Sequence, residues 1–121
     1  MKIHELGNGF VAISNFRELV LKHIDEKTLE ITDIPVCNSK DIVIPGDEHS
    51  STIYATEYQN KIFCYYSEGG GLWKVRVFAK LMCKSSRQAI FMDFEGKNWK
   101  IEYYQDDPYL HEQFIRVVPV Q

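Results

Sequence analysis

The sequence predicts a mainly β fold, with α+β at the margin. We expect one domain over residues 1–121, an antiparallel barrel or sandwich of about seven to nine strands with at most one or two short helices. Three observations carry this expectation. Residues 72–83, LWKVRVFAKLMC, alternate apolar and polar side chains, the period of a strand with one buried face. Turn-forming clusters interrupt the apolar segments at roughly 8–12-residue intervals. A length of 121 residues with 45% hydrophobic and 26% charged side chains suits a single globular core and excludes wholesale disorder.

Taken in order, GFVAIS reads as a strand. Segment 16–24, FRELVLKHI, has two readings. As a helix it puts Phe16, Leu19, Val20, His23 and Ile24 on one face, with Asn15 as cap and Glu18 completing a capping box. As a strand it runs into the turn Asp25-Glu26-Lys27-Thr28 and the alternating LEITDI. The helix is preferred of the two. KDIVIPG is a short strand, and 45–52 is a loop between apolar segments rather than a linker. Thr52–Tyr58 and Lys61–Ser67 form a hairpin about Gln59-Asn60. Gly69-Gly70-Gly71 connects it to the strand 72–83. There Trp73, Val75, Val77, Ala79, Leu81 and Cys83 face inward while Lys74, Arg76, Lys80 and Lys84 face water. After a turn at 84–87, QAIFMDF places Ile90, Met92 and Phe94 on one face. Glu95-Gly96-Lys97 turns the chain into NWKIEYY, where Trp99, Ile101 and Tyr103 alternate with Lys100 and Glu102. Asp106-Asp107-Pro108 is a further turn, and FIRVVPV a last strand in which Pro119 suits only an edge or an end. No internal repeat is visible.

The first ten residues hold no apolar leader, and no run approaches the length of a membrane span, so a cytoplasmic chain is expected. Cys37, Cys64 and Cys83 are odd in number and widely spaced, as expected of reduced thiols packed as small apolar side chains. Net charge is −3, but residues 1–60 hold five basic and ten acidic side chains and residues 61–121 nine and seven. The two halves therefore carry −5 and +2, an asymmetry able to orient a charged partner.

Catalytic and metal motifs are missing. His4, His23, His49 and His111 have neither the mutual spacing nor the cysteine neighbours of a zinc site. Ser50 and Ser51 beside His49 lack a nucleophile elbow, and the triple glycine lacks the helix a phosphate cradle uses. We expect no cofactor and no metal. Two interaction readings remain. Lys74, Arg76, Phe78, Lys80 and Lys84, with Lys100 nearby, would form the wet face of a nucleic-acid-binding sheet, cations for phosphates and an aromatic for stacking. An isoelectric point near 5.8 argues against it. The preferred reading is a non-enzymatic protein-binding module of the inhibitor or immunity type, neutralising a basic toxin or nuclease by occluding its active site. Its interface carboxylates would be Asp47, Glu48, Glu57, Glu68, Asp106 and Asp107, and its aromatic anchors Tyr54, Tyr58, Tyr66 and Tyr109. A third reading is a small-ligand pocket lined by Trp73, Trp99 and Tyr103.

Overall fold

The computed structural model describes residues 1–15, 18–34, 42–44, 53–67, 73–104 and 114–121. Among these residues there are twelve strands and no helix, so the mainly β expectation holds with more strands than the seven to nine foreseen. They form three antiparallel four-stranded sheets, each in sequence order. The first contains β1 (Lys2–Gly7), β2 (Phe10–Asn15), β3 (Glu18–Ile24) and β4 (Ile31–Ile34). The second contains β5 (Ile42–Ile44), β6 (Ile53–Tyr58), β7 (Lys61–Ser67) and β8 (Trp73–Phe78). The third contains β9 (Lys80–Lys84), β10 (Gln88–Met92), β11 (Asn98–Tyr104) and β12 (Phe114–Pro119). A repeated four-strand meander is thus present in the architecture although the sequence shows no repeat.

The second sheet lies between the other two. One of its faces joins the first sheet in a core holding Phe10, Leu21, Ile34, Phe63 and Tyr65, with the Phe10 and Phe63 rings 5.0 Å apart. Its opposite face joins the third sheet in a core of Ile53, Cys64, Tyr66, Phe78, Phe91 and Ile101, with Phe78 stacked on Phe91 at 4.9 Å. This is why five consecutive residues of β7, Ile62 to Tyr66, are all buried. A strand covered on both sides needs apolar residues at every position, not every second one.

Glu18–Ile24 is a strand, not the preferred helix. Its helical spacing of apolar residues also satisfies strand alternation, because Leu19 and Leu21 are buried against the second sheet while Val20 faces outward. Pairing with β2 and β4 supplies the backbone bonds a helix would have made internally. The alternation at 73–77 holds, but the strand bends at Ala79 into another sheet and carries a bulge between Leu81 and Cys83. Leu81 packs on the second core, whereas Cys83 is exposed and not inward as expected. In β10 it is Ala89 and Phe91 that are buried, so Ile90 and Met92 lie on the other face and Phe94 is exposed in the turn.

The turns follow local chemistry. Asn8 and Gly9, at φ 54° and 83°, close the first hairpin, and Gln59-Asn60, at φ 48° and 61°, close β6 to β7. Both are the left-handed pairs that match the twist of hairpin strands. The Asp93 carboxylate accepts hydrogen bonds from the Glu95 and Lys97 amides and from the Trp99 indole, all at 2.9 Å. The indole bond is the main reason its pKa lies below the ordinary carboxylate value, with the two amides adding to it.

Leu21→Ala, in the first core, should cost about 2–5 kcal/mol and Ile101→Val, in the second, about 0.5–1.5 kcal/mol, adding to within about 0.5 kcal/mol in the double variant. Urea unfolding measures this, and strong coupling would mean that the two cores are not separate. Asp93 is more acidic folded than unfolded, so its bonds stabilise the protein above the ordinary carboxylate pKa. That contribution fades as pH falls through the folded value. The urea midpoint of Asp93→Ala should therefore lie below that of the parent at neutral pH and converge with it as pH falls below the ordinary carboxylate range.

Candidate partner-binding surfaces

Of the expected interface residues, Asp47, Glu48, Glu68, Asp106, Asp107 and Tyr109 lie outside the described residues. Tyr66 is not a surface anchor. It is buried in the core between the second and third sheets, where its hydroxyl accepts from Arg76 Nε at 3.4 Å. Tyr54 and Tyr58 are half-buried. Tyr54 stacks on Tyr65 at 5.3 Å, and Tyr58 meets Phe10 edge-on at 6.2 Å. Both rings close the rim of the first core, so only part of each is available to a partner. Glu57 is exposed.

The basic set is divided differently. Lys74, Arg76, Lys80 and Lys84 are exposed, as expected, along β8 and β9. These are edge strands of two different sheets separated by Ala79 alone. Phe78 is not among them. It is buried against Phe91, so the aromatic assigned to base stacking beside these cations is withdrawn into the core. Lys100 is half-buried on another strand, 3.5 Å from Glu102, which also binds Arg116. Cations along edge strands keep unpaired backbone from recruiting another chain, and that role suits this ribbon. The positive field reaches β1. The His4 pKa is lowered first by burial and then by Lys2 and Lys74.

Trp73 belongs to the core against the first sheet, whereas Trp99 and Tyr103 belong to the core against the third. The second sheet separates them, so these three do not line one cavity. Burial pushes the Cys64 thiol far above its usual pKa and leaves it without nucleophilic character. No group of three or more His, Cys, Asp or Glu able to hold a metal ion occurs among the described residues.

The sequence reading missed the outward face of the first sheet. Cross-strand pairing aligns Ile3 with Ile13 and Ile13 with Val20 in one row, and Ile24 with Ile31 in another. Ile3 is 62% exposed and Ile31 60%. Between the rows run Glu5, Val11, Lys22 and Asp33, the last two ion-paired at 2.6 Å. Eight large apolar side chains are exposed among the described residues: Met1, Ile3, Val20, Leu29, Ile31, Met82, Phe94 and Val120. The first five of them lie on the first sheet or its termini and turns. The signal was available in FVAI, where apolar residues occupy both parities of a strand in an outer layer, and in Asn8-Gly9, which marks the hairpin that makes KIHEL a strand. No protein-family model, no curated protein and no solved structure matches this chain.

Proposed function

We propose that this chain is a non-enzymatic protein-binding module of the inhibitor or immunity type, and that it binds through the outward face of the first sheet. The concentration of exposed aliphatic side chains there carries the reading. Exposed aliphatic rows flanking a charged one are costly in water and suit a surface that another protein covers. The excess of carboxylates over cations in residues 1–60 favours a basic partner and would speed encounter with it. The nucleic-acid reading draws on the four exposed cations of the β8–β9 ribbon, but the burial of Phe78 removes the stacking half of its chemistry.

A photo-crosslinking residue placed at Val20 should capture one protein in cells of the native host, and the same residue at Lys97, in a turn of the third sheet, should not. Equal labelling from both positions, or none from either, overturns the assignment of this face. The inhibitor role further requires that the captured protein lose activity when this chain is added in stoichiometric amount. Fluorescence anisotropy with random oligonucleotides at ~50 mM salt separates the second reading. Affinity that falls steeply with added salt would transfer the function to the basic ribbon.

A further inference from the structure

The two turns at one end of the first sheet enclose a groove of about 520 Å³. Phe10, Val11, Ile24 and Leu29 supply its apolar lining, and Glu5 and Glu26 stand on it as carboxylates. No lysine or arginine lines it, and neither carboxylate is ion-paired with a described residue. The walls are fixed before anything binds. The Ile24 amide donates to the Gly9 carbonyl at 2.8 Å and joins the two turns. Gly9 has to be glycine here, because a Cβ would stand 2.4 Å from the Ile24 carbonyl oxygen and φ is +83°. In the facing turn the Asp25 carboxylate accepts from the Lys27 and Thr28 amides at 2.8 and 2.9 Å. The Leu29 amide donates to the Asp25 carbonyl at 2.8 Å. This holds Leu29 at φ 60° with 72% of its surface exposed. A bulky residue is rarely found in that conformation, and here it projects an apolar side chain where burial would ordinarily have placed it in a core.

The geometry points to a docking site in this groove for a cationic side chain flanked by apolar residues, presented by a basic protein partner. The proposal rests on the protein-binding reading above and names the chemistry that reading would recognise. Aliphatic stems of lysine or arginine fit an apolar floor while their charged heads meet carboxylates at the rim. A rigid groove loses little entropy on filling.

The test is a titration of the isotope-labelled chain, followed by NMR, with three acetylated and amidated pentapeptides: Ala-Leu-Arg-Leu-Ala, Ala-Leu-Glu-Leu-Ala and Ala-Ser-Arg-Ser-Ala. The first should shift the amides of Asn8, Gly9 and Leu29 and leave Gly96, in a distant turn, unmoved. The other two should bind roughly tenfold more weakly, the second for lack of the cation and the third for lack of apolar contact. The double variant Glu5→Lys/Glu26→Lys should lose affinity for the arginine peptide by a similar factor. Leu29→Gly suits the left-handed backbone and should fold at least as well as the parent, yet bind more weakly. Equal affinity for the arginine and glutamate peptides, shifts centred elsewhere, or full binding by the double variant would overturn the proposal. If these results fail while Val20 still captures a partner, the groove assignment alone falls. If the arginine peptide fills the groove and Val20 captures nothing, the groove stands and the broader face is reassigned.

Discussion

Phe63 and Tyr65 pack toward the first sheet while their sequence neighbours Cys64 and Tyr66 pack toward the third. Both faces of one strand are thereby withdrawn from water, and the rest of the arrangement depends on this. A two-layer sandwich leaves each sheet with a wet face. Covering the second sheet twice removes that face and commits its inner strand β7 to continuous burial from Ile62 to Tyr66. The polar atoms taken inside find partners at short range. The hydroxyls of Tyr65 and Thr56 lie 3.2 Å apart, and Tyr66 accepts from Arg76. Arg76 thus serves two ends of one constraint. Its backbone pairs β8 with Cys64 of β7, and its guanidinium, exposed at the sheet edge, satisfies a buried ring from outside the core.

The edges explain where the charge resides. A strand that ends one sheet and immediately begins the edge of another exposes backbone on both sides of its bend. The cations at 74, 76, 80 and 84 sit along that stretch. They are more economically understood as guards of the ribbon than as a phosphate-binding face, since the aromatic between them is directed inward. Phe78 shares the strand face of Lys74 and Arg76, but it pairs with Ile62 and lies in the second core against Phe91.

The outward face of the first sheet behaves differently from that of the third. The third carries Lys100, Glu102 and Arg116 in an ion-paired cluster. The first carries aliphatic rows about the Lys22–Asp33 ion pair and ends in the groove between its two turns. An outer layer with apolar residues on both faces resembles the middle layer in composition but lacks its second cover. That contrast is the physical basis of the function proposed for the chain.

Much of the strand content was legible in the sequence, since alternation at 73–77 and 98–103 and the turn residues at 59–60 and 93–97 act through neighbouring atoms. The same local logic recognised the exposed lysines of the ribbon. The layer order was not legible, because whether a strand is covered once or twice depends on residues tens of positions away. Tyr66 and Phe78 read as surface residues for that reason: each stands at a parity that would be wet in a two-layer fold and is dry in a three-layer one. Residues 18–24 became a strand for a related reason, since their apolar spacing satisfies either period and only pairing with β2 and β4 chose between them. The sequence by itself determined most of the strands from β6 onward and the chemistry of their turns, through side-chain parity and left-handed residues. Tertiary structure decided which faces remain in water, because burial is set by what packs across a sheet and not by what precedes it in the chain.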